Sequence, residues 1–200
     1  MQDNTRKKLA LILGAACVVL AALCWGFRPL FTDAPFSTAY AFDGPSGVFP
    51  GESGRLYIID QGKKTVLITD GQGQLVRSIQ CGMDSDTEPY YASLVAEGAD
   101  GSIYVADARY SGQGTRISQE RIFRYDADGE NGACIYLIDY ETIQQEPPLQ
   151  YGNILSLREE AGALVFTRKT DNGLAVCRLD LASGQIQSTG YDLPGQYITD

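Results

Sequence analysis

The apolar positions of this chain follow two regimes. From Leu9 to Phe27 they run for 19 positions without a charged residue, and beyond residue 43 they come in short bursts between turns rich in glycine and aspartate. At about 1.5 Å per helical residue the first run nearly matches a bilayer core of about 30 Å, which predicts one transmembrane helix. The bursts of the second regime are the length of β-strands and are bounded by turn residues, so that region is expected to be all-β.

The bursts repeat. Gly54-Arg-Leu-Tyr-Ile-Ile-Asp60, Gly101-Ser-Ile-Tyr-Val-Ala-Asp107 and Gly162-Ala-Leu-Val-Phe-Thr-Arg168 each lead from a glycine into an apolar strand. Around the second copy a four-stranded antiparallel meander can be parsed: Ala92 to Glu97, Ser102 to Ala106, Arg121 to Tyr125 and Ala133 to Ile138. The first copy repeats the later part as Thr65 to Thr69 and Gln74 to Gln80, the third as Leu174 to Leu179 and Gln185 to Thr189. Asp70, Asp126 and Asp180 open the equivalent last turns, where a carboxylate can bond the turn backbone. The glycine-led strands are apolar on consecutive residues, the pattern of strands buried on both faces, as in the blades of a β-propeller.

Address follows from the flanks of the first run. Arg6-Lys7-Lys8 precede it and Arg28 closes it, so the N-terminus is expected in the cytoplasm and the rest outside, a single-pass cell-membrane protein. A cleaved secretory signal fits less well, because bulky Trp25, Phe27, Leu30 and Phe31 stand where small residues would mark cleavage. Leu23 before Cys24 likewise departs from a lipid-modified cysteine, which calls for a small residue there.

Composition narrows the chemistry. There is no histidine, which removes Ser-His-Asp and Cys-His catalysis and the commonest zinc sites. With 16 basic against 25 acidic residues a nucleic-acid-binding surface is not expected. Cys81, Cys134 and Cys177 lie outside the apolar run, one per repeat, and read as free thiols rather than a disulfide framework.

The stretch Gly101-Ser-Ile-Tyr-Val-Ala-Asp107, a variable loop, then Arg121-Ile-Phe-Arg-Tyr-Asp-Ala-Asp-Gly129 resembles the repeat of NHL-type and related six-bladed propellers. Lys64-Thr-Val-Leu-Ile-Thr-Asp-Gly71 is a weaker match, and Arg178-Leu-Asp-Leu-Ala-Ser-Gly184 is also similar to quinoprotein-type repeats. The resemblance covers about residues 44 to 200 and implies blade architecture, not an activity. The expected organisation is a basic tail over 1–8, an anchor over 9–27, a linker over 28–43 and a partial propeller over 44–200. Its blades fall at about 44–82, 90–139 and 151–190, and a fourth opens at 191–200. Three blades cannot close a ring. The chain is therefore expected to be the N-terminal part of a larger protein; closure by another chain and an open stack are the alternatives.

Strand parity sorts the connections onto two ends. Turns between the first and second and the third and fourth strands are short; the loops at the other end, Cys81 to Tyr91, Ala108 to Glu120 and Asp139 to Tyr151, are long. Elaborated loops on a rigid scaffold are where binding concentrates, so the long-loop face is expected to receive a protein or small-molecule ligand. Candidate contacts there are Tyr90, Tyr91, Arg109, Tyr110, Arg116, Tyr140 and Tyr151, with inter-blade packing as the competing role for the tyrosines.

Asp126-Ala-Asp-Gly-Glu-Asn-Gly132 alternates oxygen ligands as a calcium loop does but lacks the distal glutamate, and a hairpin turn is the better reading. Asp84, Asp86 and Glu88 read as a solvated acidic loop. No catalytic, metal or cofactor-binding residues are expected. The resulting expectation is a membrane-anchored sensing, binding or scaffold module; the alternative is a lactonase- or lyase-like propeller enzyme with a divalent cation near its axis.

Overall fold

A computed structural model describes residues 40–81, 90–111, 116–140, 142, 154–170, 173–189 and 196–197. The expected anchor over 9–27 lies outside them, and among the described residues no helix is long and apolar enough to cross a membrane. Residues 41–200 form one compact unit.

The chain is all-β, built as antiparallel meanders. The first sheet is β1 (Pro45–Pro50), β2 (Leu56–Asp60), β3 (Thr65–Thr69) and β4 (Leu75–Gln80). The second is β5 (Tyr90–Glu97), β6 (Ile103–Ser111), β7 (Arg116–Tyr125) and β8 (Ala133–Asp139). The third is β9 (Ile154–Glu160), β10 (Ala163–Thr170), β11 (Gly173–Asp180) and β12 (Ile186–Ser188). Gln196–Tyr197, read in the sequence as part of an opening fourth copy, form β13, which adds to the outer edge of β8 as a fifth strand of the second sheet.

Consecutive burial of the middle repeat strand, β6, follows from the stacking. Alternate side chains of a strand point to opposite faces. Ile103 and Val105 accordingly join Tyr57, Ile59, Val66 and Ile68 in a core between the first and second sheets. Tyr104 and Ala106 join Leu164, Phe166, Cys177 and Leu179 in a second core, between the second and third.

The turns are built as their residues demand. Asp70, Asp126 and Asp180 each accept backbone N–H bonds from two residues of the turn they open, at 2.7–3.2 Å. The carboxylate of Asp126 is thus a turn staple, also held by the Asn131 side-chain amide at 2.8 Å. At the other short turn, Gly54 and Gly101 both sit near φ +80°, where only glycine is unstrained.

The hairpin of β6 and β7 is longer than the sequence suggested. The stretch from Ala108 to Glu120, expected as a loop, pairs with itself: Ala108 with Glu120, Arg109 with Gln119, Tyr110 with Ile117 and Ser111 with Arg116. Fully buried Ile117 gives this polar extension an apolar foothold, and only 112–115 lie between the strands.

Candidate binding surface at the long-loop end

The last residue of the repeat motif marks this end of each sheet, and it is Asp60, Asp107 or Arg168. All three are buried. A buried charge is tolerated only with partners, and each finds them differently.

Asp60 accepts the Asp43 amide at 2.9 Å and the Lys63 amide at 3.4 Å, tying the chain entering β1 to the β2–β3 turn. Asp107 takes a two-pronged bond from Arg121 on the neighbouring strand, with both N···O distances at 2.9 Å. The Arg121 guanidinium lies between two aromatic rings, 3.2 Å from the centroid of Tyr90 and 4.5 Å from that of Phe123. Tyr90 donates its hydroxyl to Gln119 Oε1 at 2.8 Å, and the Gln119 amide donates to Asp139 at 2.9 Å.

Arg168 reverses the charge of the repeat position and reaches into the previous sheet. Its guanidinium lies 3.5 Å from Glu120 Oε2 and 3.4 Å from the Tyr140 hydroxyl, while Tyr140 donates to the same Glu120 oxygen at 2.5 Å. The other Glu120 oxygen accepts the Ile154 amide at 3.3 Å, where β9 begins. The Arg168–Glu120 pair is buried on both sides, and it joins the second and third sheets at this end.

These networks place the sequence-derived candidates. Tyr90, Tyr110 and Tyr140 are buried, with Tyr90 and Tyr140 engaged through their hydroxyls as above. Tyr110 packs edge-on against half-buried Tyr91, ring centroids 5.5 Å apart. Arg109 is half-buried, with its guanidinium 5.8 Å from the Tyr90 ring. Arg116 opens β7 opposite Ser111. Tyr151 lies outside the described residues, as do 82–89 and most of the crossover before β9. Tyr91 and Arg109 are therefore the two candidates with partial exposure, and they lie on opposite faces of the second sheet, since Tyr91 pairs with Ala108 and Arg109 with Tyr90. Gln119, Glu120, Arg121 and Arg168 were not singled out from the sequence; the one available signal was Arg168 standing where two earlier repeats carry aspartate.

Chemically, the carboxylates here act as acceptors for structural donors. Among the described residues no three acidic or cysteine side chains gather as metal ligands. Burial pushes the Cys81 thiol up to about 12, with the Asp107 charge adding to it, so this buried sulfur is not a nucleophile at neutral pH.

The opposite end of the sheets carries a second, repeated joint. Glu97, at the end of β5, accepts the Ser53 amide at 2.9 Å, the Ser53 hydroxyl at 2.7 Å and the Tyr57 hydroxyl at 2.9 Å, all from the first sheet. Glu159, at the same place in β9, accepts the Ala99 amide of the second sheet at 3.1 Å. Burial alone would raise the Glu97 carboxyl, but the Ser53 and Tyr57 donors and the Arg55 charge outweigh it and hold the group below the ordinary glutamate range.

No protein-family model matches the chain, and no curated protein matches it. Among solved structures it is similar to a gluconolactonase from Xanthomonas campestris, at 11% identity and a TM-score of 0.46, over 76% of this chain and 48% of that one. It is also similar to a streptogramin B lyase, at 14% identity and a TM-score of 0.37, over 80% of this chain and 58% of that one. A chain of a nidogen/laminin complex aligns at 13% identity and a TM-score of 0.36, over 74% of this chain and 64% of its own length. The chain thus spans about half to two thirds of the length of these structures. Likenesses this distant assign no activity.

Proposed function

We propose that the chain is a membrane-anchored, extracytoplasmic propeller-type binding module that receives a protein or small-molecule ligand at its long-loop end. The observation that carries this reading is the division of labour at that end. Asp107, Glu120 and Asp139 are engaged by Arg121, by Tyr140 and Arg168, and by Gln119, so their carboxylates fasten strands and sheets together. Half-buried Tyr91 and Arg109 lie beside the long connections, one on each face of the second sheet, and offer contact area and directed hydrogen bonds there. The uncharged run from Leu9 to Phe27, with basic residues before it, supports the anchor and its orientation.

Two measurements test the reading. Alkaline phosphatase fused after Asp200 should be active in a bacterial host, and the fusion should stay in the membrane after a carbonate wash. Loss of either result removes the anchored, outward-facing arrangement. The purified full-length chain should also bind no stoichiometric divalent cation and hydrolyse no lactone; a tightly held cation with lactone hydrolysis would establish the enzyme reading instead.

A further inference from the structure

The turn between β7 and β8 does more than link two strands. Asp126 opens it, and its Oδ1 accepts the Asp128 amide at 3.1 Å and the Glu130 amide at 2.8 Å. Its other oxygen accepts the Asn131 side-chain amide, also at 2.8 Å. The same turn touches the first sheet. Arg55 donates to the Ala127 carbonyl at 2.8 Å, Arg77 pairs with Glu130, and Gly129 lies so near Ile68 and Ile79 that a Cβ there would stand 3.0 Å from each.

Asn131 is exposed and is followed by Gly132. Asparagine is a thermolabile residue because its side chain can react with the backbone that follows it. The Gly132 nitrogen gives its proton to solvent and attacks the Asn131 side-chain carbonyl carbon; the bond to Nδ2 breaks, ammonia leaves, and a cyclic imide forms. Water then opens the ring at either carbonyl, to aspartate or to isoaspartate, with nothing oxidised or reduced. Two features favour attack here. Glycine has no side chain to shield its nitrogen, and the Gly132 amide donates to no backbone carbonyl among the described residues. A shielding side chain is barred, since a Cβ on Gly132 would collide with the Tyr125 ring. One feature opposes attack: the bond to Asp126 holds the group that must leave and restrains the side chain from turning.

We propose that Asn131 is a site of spontaneous deamidation and that the Asp126 carboxylate sets its rate. Conversion replaces the donor facing Asp126 by a second carboxylate at hydrogen-bond distance, and like charges so placed repel. The aspartate product keeps the backbone, since aspartate shares asparagine's tolerance of the positive φ of 51° found at this position. The isoaspartate product adds a carbon to the main chain just before β8. Either product loosens the turn, and with it the contacts to Arg55, Arg77, Ile68 and Ile79 that hold this hairpin to the first sheet.

The test is peptide mass spectrometry of the full-length chain in detergent, sampled over days at pH 8, with a synthetic peptide of residues 124–136 as the unstructured reference. The Asn131 peptide of the wild type is expected to gain the mass of an amide turned acid, as an aspartate and an isoaspartate form, more slowly than the reference. Asp126→Ala and, separately, Asp126→Asn are expected to react several-fold faster than the wild type, with unchanged circular-dichroism spectra. The second substitution keeps an oxygen for the turn backbone and turns a donor towards Asn131, which guards against unfolding of the first. An Asn131 that stays intact while the reference peptide reacts overturns the site. Equal rates in the wild type and both variants overturn the role of Asp126.

Discussion

The Tyr57 hydroxyl donates to Glu97 Oε1 at 2.9 Å across the joint between the first and second sheets. The same carboxylate accepts the amide and hydroxyl of Ser53, so one side chain satisfies three donors. Removing the acceptor is therefore worse than removing one donor. Glu97→Ala should destabilise the chain by about 2–3 kcal/mol and Tyr57→Phe by about 1 kcal/mol, read from the midpoint of urea unfolding.

Acidity should loosen this joint. Because the folded Glu97 carboxyl titrates below its unfolded value, its contribution is fully present above the unfolded range and is lost as pH falls through the folded value. The charged and titratable groups that face it are Arg55 and Tyr57, neither of which changes charge in that window. Hydrogen exchange across Gly51 to Asp60 should accelerate on acidification in the wild type, with a smaller acceleration in Glu97→Gln. Equal acceleration in both would assign the effect to another group.

The joint also dictates a glycine. A Cβ on Gly51 would stand 2.8 Å from Tyr57 Cε2 and would press on the Glu97 carboxylate, and one on Gly98 would stand 3.1 Å from Tyr104 Cε2. Gly51→Ala is expected to cost about 1–3 kcal/mol by overpacking, with Gly98→Ala the milder of the two. In a Glu97→Ala background the Gly51 penalty should shrink, because one of the two obstructing groups is gone; a double-mutant cycle measures the difference.

At the long-loop end the stakes are higher. Arg168→Ala leaves the Glu120 carboxylate buried with its counter-charge removed, and a loss of about 3–5 kcal/mol is expected. Arg168→Met with Glu120→Leu removes both charges together and should recover much of that loss. Melting temperatures of the wild type and the two variants decide the point.

Thiol chemistry gives an independent check on packing. Cys81 and Cys177 are buried and Cys134 is half-buried, all three as free thiols. Under native conditions at pH 8 iodoacetamide should modify Cys134 ahead of the other two, as followed by peptide mass spectrometry.

Much of the architecture was legible because it is local. The repeat glycines, the consecutive apolar strands and the turn-opening aspartates each report a backbone or burial requirement within a few residues. β1 has no strand signature in the sequence, since Pro45-Ser-Gly-Val-Phe-Pro50 carries two residues without an N–H and few apolar ones; its pairing with β2 and its edge position allow the strand. The outer halves of β6 and β7 read as a loop because Arg109, Arg116, Gln119 and Glu120 are polar, and only tertiary partners make their burial or pairing favourable. Those partners come from distant positions, as with Glu120 and Arg168, and periodicity carries no record of them.

Glu97 and Glu159 both lie later in the chain than the turns they hold. A polypeptide emerging from its N-terminus therefore displays each turn, with its donors in water, before the glutamate that will claim them has been made. Folding can then proceed as a relay, each completed sheet serving as the template on which the next one settles.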